Sequence, residues 1–213
     1  MDDVEVIRAI EHAPMRTVRT ADIADLVTNA SRTIARLVER GALTKLAHGV
    51  YTVPPDGADA RHWRPPLEGG ALALATARFG ARAVILMGAG AARYWHAIPR
   101  AIGSTTVAVA ERGVRPVELA TGGRIDFVFR QVEDVDATLE HTVLGDALVT
   151  TPSQTLYDLL AMRGSRSALG EAQFAEAVTN LSERVSKPEF QRLLTSSGRV
   201  PLAARELVMR LGG

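Results

Sequence analysis

The 213-residue sequence has no cysteine, which excludes disulfides, thiolate nucleophiles and cysteine-ligated zinc together and fits a reducing compartment. Lysine is nearly absent too: Lys45 and Lys187 are the only lysines among 25 basic residues, which with abundant Ala, Gly and Val indicates a GC-rich genome rather than a mechanism. No apolar run approaches the ~18 residues of a membrane span, and Met1-Asp2-Asp3-Val4-Glu5 is acidic where a secretory signal is basic, so the expected location is the cytoplasm. The formal net charge of +1 does not mark a nucleic-acid binder, so any such footprint has to be local. Five scattered histidines form no H-E-x-x-H cluster, and the sequence lacks a G-x-x-x-x-G-K-[ST] loop, a G-x-S-x-G elbow and the kinase H-R-D and D-F-G set. No metal, cofactor or catalytic residue is therefore expected from motifs, and enzymatic activity stays open.

What is present begins with a hydrophobic content of 46%, enough for a sizeable core. Asp2 to His12 carries Val4, Ile7 and Ile10 at helical spacing and breaks at Ala13-Pro14. Met15 to Val18 can extend, Thr20 caps a second helix over Ala21 to Val27, and Thr28-Asn29 leads into a third over Ala30 to Arg40, stopped by Gly41. Leu43 to Leu46 and Val50 to Val53 are β-prone runs joined by Ala47-His48-Gly49, a hairpin signal. Three helices followed by a hairpin is the order of a winged helix-turn-helix, assigned to residues 1–53. Pro54 to Pro66 reads as a linker. Residues 67–213 read as an α/β domain: a helix over Leu67 to Phe79, strands at Ala83 to Met87, Thr105 to Ala110, Val117 to Leu119, Arg124 to Phe129 and Ala147 to Val149, then a helical tail over Pro152 to Met162, Glu171 to Leu181, Pro188 to Thr195 and Pro201 to Leu211. The fold class is mixed α+β.

The third helix divides its faces. Ile34, Leu37 and Val38 form a core stripe, while Arg32, Arg36 and Glu39 lie opposite. A recognition helix needs this division, because it packs on its neighbours while the other face enters a major groove about 12 Å wide. Ser31, Arg32, Thr33 and Arg36 sit where base edges are met, Arg40 is placed for a phosphate, and the wing's Lys45 and His48 for adjacent backbone. An arginine stripe of Arg32, Arg36 and Arg40 alone is better explained by a solvated helix face; agreement of element order, apolar period, glycine stop and basic wing favours DNA.

Elsewhere, Gly88-Ala89-Gly90-Ala91-Ala92-Arg93 resembles the start of a dinucleotide turn, but Arg93 stands where the third glycine belongs, so a tight strand-to-helix turn explains it better. Arg93-Tyr94-Trp95-His96 is a polar-aromatic cluster that can stack on a base or cap a core edge. Asp126, Glu133, Asp134 and Asp136 fit a solvated loop better than a metal site.

Several segments in order resemble the AbiEi family of antitoxins from type IV toxin-antitoxin systems: Ile34 to Leu43 running into Leu46-Ala47-His48-Gly49-Val50-Tyr51, the strand and turn Ile85 to Tyr94 with His96 following, and Gly145-Asp146-Ala147-Leu148-Val149-Thr150-Thr151-Pro152-Ser153-Gln154-Thr155-Leu156-Tyr157-Asp158-Leu159-Leu160. The resemblance implies a winged helix joined to an α/β antitoxin domain. It also implies a repressor binding inverted repeats in double-stranded promoter DNA, and neutralisation of a cognate nucleotidyltransferase-like toxin. It places the DNA role on Ser31, Arg32, Thr33, Arg36, Arg40, Lys45 and His48 and maps no catalytic set. Two alternatives stand beside it: an antitoxin that modifies its toxin as an atypical kinase, with Arg93, His96 and Asp158 to inspect, and a ligand-responsive regulator.

Overall fold

The computed structural model describes residues 3–161, 168–197 and 200–210; Met1, Asp2, Met162 and Leu211, which bound segments read from the sequence, lie outside them. The chain opens with α1 (Asp3–Glu11), whose Val6 and Ile10, one turn apart, are buried. Pro14 ends it in a 3₁₀ turn over Pro14–Arg16, and β1 (Thr17–Arg19) follows. Next come α2 (Thr20–Ile23), α3 (Ala30–Glu39), β2 (Thr44–Ala47) and β3 (Val50–Thr52). The strands form an antiparallel sheet in the order β1-β3-β2. Val6, Ile10, Ile23, Ile34, Leu37, Leu43 and Val53 share one core beneath it, as expected of a winged helix-turn-helix.

The second helix is shorter than its apolar spacing predicts. Its N-cap is Arg19 rather than Thr20, with the Asp22 carboxylate accepting from the Arg19 backbone N–H at 2.8 Å. The Ile23 carbonyl then receives both Leu26 N–H and Val27 N–H, which closes the chain into a turn. Val27 still packs against the core, so the predicted apolar stripe is met by a turn instead of a regular helix.

The second half comprises α4 (Leu67–Phe79), β4 (Val84–Met87), α5 (Gly88–Tyr94), β5 (Ser104–Val109), β6 (Val117–Glu118), β7 (Arg124–Phe129), β8 (Ala137–Thr142) and β9 (Gly145–Thr150), then α6 (Pro152–Ala161), α7 (Glu171–Ser182), α8 (Lys187–Ser196) and α9 (Leu202–Arg210). The sheet order is β6-β7-β5-β4-β9-β8. The mixed directions, β4 parallel to β9 but antiparallel to β5, make this an α+β arrangement. Along β4 the side chains alternate between two apolar layers: Val84 and Leu86 join α4, Ile85 and Met87 the opposite face. The sequence gives no signal for β8, because this edge strand alternates exposed and half-buried positions with Thr138, Glu140 and Thr142 on one set.

Helix α4 is buried from Glu68 to Thr76, on every side. It lies between the sheet and the winged helix, in one core with Met15, Leu46 and Ala47 on one side and Val84, Leu86 and Val107 on the other. Residues 54–66 between the two halves are fastened rather than free: the Arg16 guanidinium donates to the Pro54 carbonyl at 3.1 Å and Ala60 N–H to the Gly41 carbonyl at 3.1 Å. The tail helices cover the far side of α5 and α6 through Ala92, Leu156, Leu159, Leu181 and Phe190.

Candidate nucleic-acid interface

Helix α3 is held at both ends by its own sequence. Asn29 caps it, its side chain accepting from Arg32 N–H at 3.0 Å. Gly41 ends it at φ +73°, a conformation that favours glycine, and a Cβ there would also have to displace the Asp59 carboxylate. Ile34 and Leu37 are buried and Val38 partly so, which fixes the opposite face outward.

The candidate DNA residues separate into two sets. Ser31, Lys45 and His48, with Ala35 of α3, Thr20 and Tyr51, line a cleft of about 510 Å³ between helix and wing. Lys45 lies opposite Tyr51 in the hairpin and is exposed, as is His48 beside Gly49, whose φ of +71° turns the hairpin. Arg32 is exposed on the same helix, and none of Arg32, Lys45 and His48 has a side-chain ion pair or hydrogen bond among the described residues. Thr33 is half-buried.

Arg36 and Arg40 form the second set, turned toward α1. The Arg36 Nε donates to Asp3 Oδ2 at 3.2 Å and its Nη2 to Asp3 Oδ1, while Arg40 Nη1 donates to Asp3 Oδ2 at 2.9 Å. Sequence reading missed this shared carboxylate. Asp3 is 33 residues from Arg36, and only the packing of α1 beside α3 brings them together.

The α/β half holds a second concavity, about 670 Å³, lined by Glu68, Arg93, Tyr94, Trp95, His96, Glu140, His141 and Arg184 among others. Glu68 is buried and paired with Arg93 Nε at 2.8 Å. Tyr94 donates to Glu140 at 3.1 Å, and burial is the main cause that raises its phenol pKa. Trp95 donates its indole N–H to the Thr150 carbonyl at 2.8 Å, so the two aromatic residues of the cluster hold the end of α5 on the sheet, Tyr94 on β8 and Trp95 on β9. Arg93 and His96 meet at this cavity; Asp158 does not line it. Asp158 is buried on α6, accepts from Gln154 at 2.9 Å and is pushed up to about 7 by burial, against the opposing pull of Gln154 and Arg130. No group of three or more metal-ligating side chains gathers among the described residues, and Asp126, Glu133, Asp134 and Asp136 are spread over β7 and the loop after it.

Residues 7–54 match the family model described as "Transcriptional regulator, AbiEi antitoxin", and residues 82–209 match that of the "AbiEi antitoxin C-terminal domain". A comparison with curated proteins returned no match. The fold is similar to the crystal structure of the RV2827C protein from Mycobacterium tuberculosis, with a TM-score of 0.61 over 98% of this chain and 75% of that one; at 18% identity the likeness is one of fold. No helix among the described residues is long and apolar enough to cross a membrane. With both halves matched in order, and the C-terminal model alone covering more than half of its length, the chain belongs to the AbiEi antitoxin family.

Proposed function

We propose that this chain is the antitoxin of a type IV toxin-antitoxin system, that it represses its own operon by binding inverted repeats in double-stranded promoter DNA, and that its α/β half counters a nucleotidyltransferase-like toxin. The observation that carries the DNA part is that Lys45 and His48, in the cleft between α3 and the wing, and the exposed Arg32 on α3 have no side-chain partner among the described residues. A capped, rigid helix presents Ser31 and Arg32 at its N-terminal turn, where recognition helices meet base edges, and Lys45 on the wing is spaced for a phosphate. Gel-shift binding to its own upstream DNA, over a salt series and with an Arg32→Ala/Lys45→Ala variant, tests it. Preferential binding lost in the variant supports the reading, whereas equal binding to unrelated duplex removes the repressor role.

A second reading, covalent modification of the toxin by phosphoryl transfer from a nucleoside triphosphate, is favoured by one observation: Arg93 and His96 line the same cavity as the buried Glu68. Incubating toxin and antitoxin with the nucleotide and weighing the toxin separates the two. An added phosphoryl mass selects the second reading, and an unchanged mass with relieved toxicity selects the first.

A further inference from the structure

Resting on the DNA-binding reading above, we propose that Asp3 is an internal competitor for DNA phosphate, which occupies Arg36 and Arg40 in the free protein and must give them up for the full complex to form. The three side chains form one closed set. Arg36 presents Nε and Nη2 to the two carboxylate oxygens, and Arg40 adds Nη1 to Oδ2 at 2.9 Å. The Nε/Nη2 edge is a fork with which a guanidinium grips a phosphate in bidentate fashion, so the carboxylate sits where a phosphate would and uses the same donors.

Exposure makes the exchange possible. The Arg36 and Arg40 side chains are 44% and 65% exposed, against 23% for Asp3, so solvent and a polyanion reach the guanidiniums while the carboxylate is held between the helices. Exposed ion pairs of this kind are weak and screened by salt, and a phosphate array of high charge density displaces them.

The DNA-facing side chains of the winged helix therefore act in two groups. Arg32, Lys45 and His48 carry no internal partner among the described residues and engage DNA at once. Arg36 and Arg40 engage by exchanging one anion for another, so in the parent protein they contribute less than their number suggests. Asp3 lowers affinity, most at low salt, where charge counts for most, and makes binding less steep in salt than four arginine and lysine contacts would give.

The experiment measures binding of the full chain to its upstream DNA from about 50 to about 200 mM salt, for the parent, Asp3→Asn, Asp3→Ser, Arg36→Ala/Arg40→Ala, and the combination of Asp3→Asn with both alanines. Far-UV circular dichroism confirms that each is folded. The neutral Asp3 variants are expected to bind roughly three- to tenfold tighter at the low-salt end, with a salt slope steeper by about 1, and the gain is expected to vanish in the combination. A folded Asp3→Asn that binds no tighter than a parent that does bind overturns the proposal alone. A gain that survives removal of both arginines overturns it as well, since Asp3 would then act elsewhere. If no protein in the set binds, the DNA reading itself fails and this inference falls with it. Should both Asp3 variants unfold, the alanine pair in the parent decides: a loss of more than about tenfold at low salt means that the two arginines contribute in full despite Asp3 and overturns the proposal, and a smaller loss supports it.

Discussion

Gly90 and Thr105 are packed in direct contact: a Cβ placed on Gly90 would overlap the Thr105 hydroxyl oxygen and come within 2.9 Å of Leu86 Cδ1. Gly90 therefore serves the close approach of α5 to the sheet, while Gly88, at φ +59°, takes the turn out of β4. Gly90→Ala is expected to cost about 1–3 kcal/mol of stability by overpacking. Thr105 Oγ1 has no hydrogen-bond partner among the described residues, so adding Thr105→Ala should recover part of the loss without breaking a bond seen there. Chemical denaturation of the single and double variants checks both. A Gly90→Ala protein as stable as the parent would return the turn to the list of candidate ligand sites.

Asp158 gives the protein a pH-dependent stability of definite sign. Its folded pKa, pushed to about 7 by burial, lies above the ordinary 3.8, so between those values the folded state holds a proton that the unfolded state has lost. Stability from this group is present at acid pH, falls as pH rises through that window and is flat above it. Asp158→Asn keeps the acceptor for Gln154 and is expected to remove the slope, leaving the variant more stable than the parent at pH 8 by an amount on the order of a few kcal/mol. Melting temperature against pH for the two proteins reads this directly. A parent profile that rises from about pH 4 to about pH 7 while the variant stays level would refute it.

Removing Arg32 and Lys45 together should weaken binding to upstream DNA and flatten its salt dependence by about 1–2 in the slope of log affinity against log salt. If Arg32 reads a base edge, Arg32→Ala alone relaxes preference at one position of the operator by roughly 1–3 kcal/mol, whereas a phosphate contact weakens all duplexes alike. Binding to a set of single-position operator variants distinguishes these outcomes.

Met15 joins the two halves. Its side chain lies in the same core as α4, its sulfur accepts from Thr76 Oγ1 at 3.6 Å, and Gly145 packs against its backbone. Met15→Ala is expected to cost about 2–5 kcal/mol, and because the core is continuous the loss should appear in one cooperative transition. Coincident unfolding curves from tryptophan fluorescence and far-UV circular dichroism are the expected result. Two separated transitions would mean that α4 does not couple the halves.

Periodicity reaches far in this chain because the winged helix is built from local signals. Pro14 stops α1, Asn29 caps α3, Gly41 ends it and Gly49 turns the hairpin, each acting within a few residues of itself. Local signals fail where the cause is distant or one-sided. The expected helix over Ala21 to Val27 shortens to Thr20–Ile23 because Ile23 serves two following N–H groups, and apolar spacing fits that turn as well as a helix. The edge strand β8 was hidden because none of its positions is fully buried, so it carries no clear apolar alternation.

By itself the sequence determined the order of elements in the winged helix, the core face of α3 and the basic surplus of α3 and the hairpin, because caps, glycines and helical period are short-range chemistry, and its segments carried the resemblance to the family. Tertiary structure alone decided that Arg36 and Arg40 share the carboxylate of Asp3 while Arg32, Lys45 and His48 have no side-chain partner among the described residues. It alone decided that α4 is buried on all sides and that Asp158 is cut off from water. Those outcomes depend on which surfaces meet across tens of residues. Charge pairing and desolvation act through space, and a chain read residue by residue does not contain the distances.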